Sequence, residues 1–165
     1  RHQDAEAAYT EAVAIHRNLA QHGPATHLPH LANSLEGLGF TLNNEGRHQD
    51  AEAAYTEAVA IRRSLAEHDP TTHLPPLSAS LKDLGFALSN AGRHQDAEAA
   101  YTEAVAIHRN LAQHGPATHL PHLANSLEDL GFALNNVNRQ KDAQAAFTEA
   151  VAIRRDLAEH DPTTY

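Results

Sequence analysis

The sequence predicts an all-α fold, a right-handed α-solenoid of antiparallel helix pairs with about seven helices. Three observations predict it: a 46-residue internal repeat, leucines at helical spacing inside each repeat, and an apolar fraction built from alanine and leucine rather than from large anchors. The repeat is read from Arg1-His-Gln-Asp, which returns as Arg47-His-Gln-Asp and Arg93-His-Gln-Asp and then as Arg139-Gln-Lys-Asp, 46 residues apart each time. Self-similarity at such a period marks stacked supersecondary units, none of which can bury its apolar face alone. A second period of 92 overlies the first. Residues 1–44 and 93–136 differ only where Gly37 becomes Asp129 and Thr41 becomes Ala133, and His16-Arg17-Asn18 and His108-Arg109-Asn110 alternate with Arg62-Arg63-Ser64 and Arg154-Arg155-Asp156. The duplicated unit is therefore a pair of repeats.

Each unit holds two helical patterns. The first runs from about Leu28 to Asn44, with Leu31, Leu35, Leu38 and Leu42 forming a stripe three or four residues apart. Thr26 is the expected N-cap and Pro29 falls in the first turn, where its missing N–H is harmless. Gly46 stands where a left-handed C-terminal cap is needed. The second pattern runs from about His48 to His68, with Ala51, Tyr55, Ala58, Ile61 or Arg62, and Leu65 on one face, and Asp50 and Glu52 in its opening turn, favourable against the helix dipole. Gly23-Pro24 or Asp69-Pro70 ends it. Gly39, Ala51 and Ala58 allow two backbones to approach closely, and Tyr55 is the large side chain expected to fill the wedge between them. The chain divides as a single repeat domain, 1–165: a half repeat 1–25 and repeats 26–71, 72–117 and 118–163. With Arg1 at its start and no methionine anywhere, it reads as a piece of a longer protein.

Composition narrows the function. The formal net charge is −9, which lacks the basic footprint of nucleic-acid binding. No apolar run approaches the roughly 18–20 residues of a membrane span. Without cysteine there is neither a disulfide framework nor thiol chemistry. Ser34, Ser80 and Ser126 lie in amphipathic helices without a nucleophile turn, and the acidic pairs recur every 46 residues, as a solvated face does and a unique active site does not. No catalytic residue, no cofactor and no enzyme is expected. Histidine is abundant, 14 in all, and His22, His27 and His30, copied as His114, His119 and His122, have a His-x4-His-x2-His spacing that offers imidazoles to zinc or nickel. No cysteine or carboxylate set completes such a shell, and the equivalent connection in the second repeat has only His68 and His73. The bland alternative is a polar loop with His22 at a helix C-terminus.

The small-and-large pattern Leu35, Leu38-Gly39, Leu42, Gly46, Ala51, Tyr55, Ala58 returns as Leu81, Leu84-Gly85, Leu88, Gly92, Ala97, Tyr101, Ala104. It returns again as Leu127, Leu130-Gly131, Leu134, Asn138, Ala143, Phe147, Ala150, and a half copy (Ala5, Tyr9, Ala12) opens the chain. This pattern resembles the tetratricopeptide repeat, over the whole chain. Its unit is 46 residues against the family's usual 34 or so, which is similar to the long-repeat variety of kinesin light chains and of bacterial regulators. The resemblance implies a scaffold that binds a protein or peptide partner, within a larger bacterial cytoplasmic protein. It also implies a concave groove lined by Asn33, Glu36, Phe40 and Asn43, then Ala79, Lys82, Phe86 and Ser89, then Asn125, Glu128, Phe132 and Asn135. A phenylalanine at every copy can accept apolar side chains and the asparagines can grip peptide backbone; the competing expectation is that these rings pack between neighbouring first helices. Arg47 is expected beside the last carbonyls of the preceding helix. A further alternative is end-to-end self-association, the face at Ala143–Phe147 meeting the helix around Ala5–Tyr9 in a contact that need not close.

Overall fold

The computed structural model describes the backbone of residues 2–160 and the side chains of residues 4–160; Arg1 and the last residues of the third repeat lie outside them. Within that span the fold is seven α-helices in sequence: α1 (His2–His22), α2 (Pro24–Asn44), α3 (His48–His68), α4 (Pro70–Asn90), α5 (His94–His114), α6 (Pro116–Asn136) and α7 (Gln140–His160). Each helix packs on the next along the chain, and α2, α4 and α6 also touch one another lightly, the contact pattern of a solenoid. Every helix has 21 residues and so extends about 30 Å. Joints of one residue (Gly23, Asp69, Gly115) alternate with joints of three (Glu45 to Arg47, Ala91 to Arg93, Val137 to Arg139). Two such helices and one joint of each kind make the 46-residue period.

The long period comes from helix rather than loop. α2 begins at Pro24, not at Thr26 or Leu28, because proline's fixed φ and absent N–H suit the first helical position. Gly23 is the N-cap and Thr26 lies inside the helix. Pro29, expected in the first turn, sits inside the helix beyond it, as do Pro75, Pro76 and Pro121 in the later copies. In the second repeat the one-residue joint is capped by its own side chain, the Asp69 carboxylate accepting from the Thr72 N–H at 3.3 Å. Thr72, through its hydroxyl first and then this N–H, holds the Asp69 carboxyl below its ordinary pKa.

The three-residue joints close as expected. Gly46 and Gly92 have φ of +77° and +76°, and Asn138 takes the same left-handed position at +61°. In each joint the residue after it returns a hydrogen bond five residues back, Arg47 N–H to the Leu42 carbonyl at 3.0 Å and its copies at 2.8 and 2.9 Å, the Schellman closure. Arg47 thus lies beside the last carbonyls as expected, but only its backbone bonds to them. Its guanidinium reaches across to Glu6 of α1 at 2.6 Å and to Asp50 at 2.7 Å, so it ties one second-type helix to the next.

Two packing joints alternate along the rod. In the first, a valine of one second-type helix meets two leucines of the following first-type helix and an alanine of the next second-type helix. Val13, Leu31, Leu35 and Ala58 make it, repeated as Val59, Leu77, Leu81, Ala104 and as Val105, Leu123, Leu127, Ala150. In the second, Leu42, Ala51 and Tyr55 close on Ala87, repeated as Leu88, Ala97, Tyr101 and Ala133. Each fully buried Val or Leu contributes about 1.5–3 kcal/mol. The aromatic of the second joint lies in a notch left by glycine: a Cβ on Gly39 would stand 3.0 Å from the Tyr55 ring, on Gly85 2.8 Å from Tyr101, and on Gly131 2.6 Å from Phe147. Gly85→Ala is therefore expected to cost about 1–3 kcal/mol in a thermal or denaturant melt. Shrinking the ring as well (Gly85→Ala with Tyr101→Leu) should recover part of that loss; a neutral Gly85→Ala would contradict the notch.

Candidate functional site

The first-type helices α2, α4 and α6 carry the predicted groove residues, and the structure divides them sharply by type. Phe40, Phe86 and Phe132 are 63%, 56% and 63% exposed, large rings in water at the same register of three successive helices. They do not fill the space between neighbours; Phe132 makes only an edge contact with Phe147, centroids 5.2 Å apart. The polar positions are mostly committed to the fold. Arg62 of α3, itself buried, forks onto Glu36 at 3.0 and 3.1 Å and donates to Asn33. Arg154 of α7 repeats this with Glu128 at 2.8 and 3.0 Å and with Asn125 at 2.9 Å. Asn43 is buried, its side-chain oxygen accepting from Asn90 at 3.2 Å and paired with His48 at 2.8 Å, so it does not face a groove. Ser89 sits at the Tyr101 hydroxyl, Lys82 pairs with Asp129 of α6 at 3.0 Å, and Asn135 lies at the rim of a cavity beside α7.

The middle repeat is built differently, which gives the 92-residue period a physical reason. Where Arg62 and Arg154 stand, α1 and α5 have His16 and His108. Where Asn33 and Glu36 receive the arginine, α4 has Ala79 and Lys82, and an arginine in place of His108 would face the lysine. His108 instead bridges two helices: its Nε2–H donates to Ser78 Oγ at 2.9 Å and its Nδ1 accepts from Ser126 at 2.9 Å. The direction follows from Ser78, whose hydroxyl proton goes to the Pro75 carbonyl at 2.8 Å. Burial above all, then His122, Lys82 and His119, push the His108 pKa down to about 4, so the ring is neutral at pH 7. The smaller side chains leave a cleft of about 380 Å³ between α4, α5 and α6, with Ala79, Lys82, Asp83, His108, His119 and His122 on its wall.

The histidine spacings place no loop cluster. His22 and His114 cap their own helices through the Asn18 and Asn110 carbonyls, at 3.2 and 3.0 Å. His27 and His119 lie within α2 and α6 against the joints Gly23 and Gly115, and His30 and His122 stack on His16 and His108 at 5.7 and 5.8 Å. The connection expected to be a loop is helical, which spreads each triplet over two helices. Among the described residues no group of three or more His, Cys, Asp or Glu is arranged to hold a metal ion. Ser34, Ser80 and Ser126 are buried; Ser34 donates to the His30 carbonyl four residues back, and Ser80 has its one hydroxyl proton between the Glu36 carboxylate and the Pro76 carbonyl. Missed by the sequence reading were Arg62, His108 and Asp83. Their signal was present in the alternation of Arg and His at one position against Glu and Lys at another.

The two terminal helices of the described span each have an uncovered face. Tyr9 is 39% exposed where Tyr55 and Tyr101 are 4% and 7%, and Val151 is 45% exposed where Val59 and Val105 are 4% and 2%. Ala143 and Ala146, expected at the open end, are buried against α6; the exposed surface is Thr148, Val151 and Ala152, beside Phe147. Both end helices are of the second type, and interior copies cover these faces with a first-type helix. Stacking α7 directly on α1 of a second molecule would leave that helix out.

The alternation predicts an energetic coupling. His108→Arg alone is expected to lower stability by about 1–3 kcal/mol, since it buries a second cation beside Lys82. Adding Lys82→Glu and Ala79→Asn recreates the surroundings of Arg62 and should return most of the loss, a coupling of about 0.5–3 kcal/mol in urea melts. Simple additivity would contradict the pairing rule.

Comparison with known proteins agrees with this architecture. Two family models, each described as tetratricopeptide repeat, match residues 30–110 and 123–162. No curated protein sequence matches the chain. Among solved structures, BtubC (BKLC) from P. vanneervenii superposes with a TM-score of 0.69 at 19% identity, over 95% of this chain and 58% of that one. The MamA protein superposes with a TM-score of 0.58 at 14% identity, over 97% of this chain and 93% of that one. At such identities the likeness is one of fold, and the chain spans little more than half the length of BtubC. The family models, the registered glycine–aromatic pairs and the alternating helix types agree that the chain belongs to the tetratricopeptide repeat family.

Proposed function

We propose that this chain is a protein-binding scaffold whose contact surface is the phenylalanine face of α2, α4 and α6. The observation that carries the reading is the trio Phe40, Phe86 and Phe132, each more than half exposed at a 46-residue spacing. Leaving three large rings in water has no folding benefit, whereas repeated apolar contacts on successive helices suit an extended peptide or a partner helix. The net charge of −9 favours a partner other than nucleic acid. Among the described residues no helix is long and apolar enough to cross a membrane. We take the segment to be a non-catalytic repeat domain of a larger bacterial cytoplasmic protein, with repeat boundaries near 26, 72 and 118.

End-to-end association is the second reading, favoured by the exposed Tyr9, Ile15 and Leu19 at one end and Val151 at the other. It gains support if sedimentation shows concentration-dependent growth that Tyr9→Lys abolishes.

The scaffold reading predicts a separation of stability from binding. Replacing Phe40, Phe86 and Phe132 together by alanine should leave the melting midpoint within a few degrees, as exposed changes usually stay within about ±0.5 kcal/mol each. The same variant should lose at least about tenfold in affinity for peptides selected by display on the parent chain. Retained affinity would move the binding surface elsewhere.

A further inference from the structure

On the phenylalanine face one carboxylate stands without a counter-ion. Asp83 of α4 is exposed and makes no hydrogen bond or ion pair among the described residues. Its copy one repeat on, Asp129, receives the Lys82 ammonium from the preceding first-type helix at 3.0 Å. Lys82 and Asp129 are 47 residues apart, and 47 residues before Asp83 stands Glu36. The register that supplies Asp129 with a cation therefore supplies Asp83 with a second carboxylate. The first repeat avoids the question, because Gly37 occupies the same position there and a Cβ on it would strike the Tyr9 ring.

Asp83 lines the same cleft as His108, His119 and His122, none of which hydrogen-bonds to it among the described residues, and its closer neighbours do not supply the missing charge. Glu36 on α2 is negative, although Arg62 and Ser80 bond to it. Tyr55 on α3 and Tyr101 on α5 are neutral, their phenols held above the ordinary value by burial first and then by carboxylates that include Asp83. Lys82 on the same helix is committed to Asp129 of α6. The side chain keeps one side open to solvent, but crowding of its carboxyl by the packed helices first, and then the charge of Glu36, against a smaller opposing effect of Lys82, pushes the Asp83 pKa up to about 6. Phe86 follows Asp83 by three residues and Phe40 follows Glu36 by four, so each carboxylate has an exposed ring beside it on its own helix.

We propose that Asp83 is the specificity-determining contact of the phenylalanine face, receiving the lysine or arginine side chain of an apolar, basic peptide whose flanking residues lie on Phe40 and Phe86. This deepens the scaffold reading and rests on it. A cation at this point completes the pairing that Lys82 gives Asp129, and the adjacent rings favour it further through their π faces. The chain's net charge of −9 steers such a peptide toward it.

The test is a random-peptide display selection on the 165-residue chain at pH 7, followed by affinities of the enriched peptides at pH 5 and pH 7. The expected peptides carry a basic residue between apolar ones and bind Asp83→Asn about tenfold more weakly. With an Asp83 pKa near 6, only about a tenth of this carboxyl is ionised at pH 5. Parent affinity should therefore rise about tenfold between pH 5 and pH 7, while Asp83→Asn gives a flat profile that separates this effect from the histidines of α6. If enriched peptides lack basic residues, bind Asp83→Asn as well as the parent and still need the three phenylalanines, this proposal fails and the scaffold reading stands. If no peptide distinguishes the parent from the triple phenylalanine variant, both fail.

Discussion

An aromatic ring seated in a glycine notch sets the distance between the two helices of every complete pair, and the rest of the array follows from that distance. Tyr55 on Gly39, Tyr101 on Gly85 and Phe147 on Gly131 leave no room for a Cβ. With the backbones drawn this close, the leucine stripes of α2, α4 and α6 meet valine and alanine of the flanking helices on both sides. One ring per unit then fills the wedge, and a chain with only 5% aromatic residues can close its core. The same constraint explains a detail of the duplication. Gly37 and Thr41, the only positions at which residues 1–44 differ from 93–136, touch each other, the Thr41 hydroxyl donating to the Gly37 carbonyl at 3.0 Å. Tyr9 lies on Gly37, where the aspartate of the later copies would not fit.

A second constraint acts between repeats and is electrostatic. A position buried inside the array on the second-type helices must find a partner on the first-type helix beside it, and the chain uses two solutions in alternation. Arginine meets asparagine and glutamate; neutral histidine meets serine hydroxyls next to alanine and lysine. A buried guanidinium left without its carboxylate would be costly, so the two sets are inherited together, as a 92-residue pair. The alternation also reaches the exposed face. It gives Asp129 a lysine and gives Asp83 a glutamate, and so leaves one uncompensated charge among the phenylalanines. The exposed Arg–Glu pairs that link second-type helices, such as Arg63 with Glu103 at 2.9 Å, repeat without alternating and contribute little each.

Much of the fold was legible in the sequence because period, leucine spacing and the Gly46, Gly92 and Asn138 caps each report a local requirement. Tyr55 as the wedge filler was legible for the same reason. The helix starts were not. Gly23-Pro24 and Asp69-Pro70 read as stops and Pro29 as a first-turn residue, yet Pro24 opens α2, while Pro29 costs one backbone hydrogen bond in a helix that its flanking leucines hold in place. That misreading turned a helical segment into a loop and gathered His22, His27 and His30 into a cluster that the helix disperses. At the candidate site, family register placed Phe40, Phe86 and Phe132 on the face. It could not tell which polar neighbours the fold consumes, because that depends on Arg62 and Arg154, 26 residues further on, reaching back. Asn43 was misplaced because its burial depends on Asn90 of the next pair.

The two aromatic positions of the repeat have opposite work, Tyr55, Tyr101 and Phe147 inside it and Phe40, Phe86 and Phe132 displayed on its face. Fluorine NMR on chains labelled with fluorotyrosine and fluorophenylalanine, with a soluble paramagnet added, measures that division directly. Phe40, Phe86 and Phe132 should relax strongly, while Tyr55 and Tyr101 stay protected, in line with exposures of 56–63% against 4–7%. Signals of these three phenylalanines as protected as those of the two tyrosines would mean that the rings pack between helices, and the binding face described above would not exist.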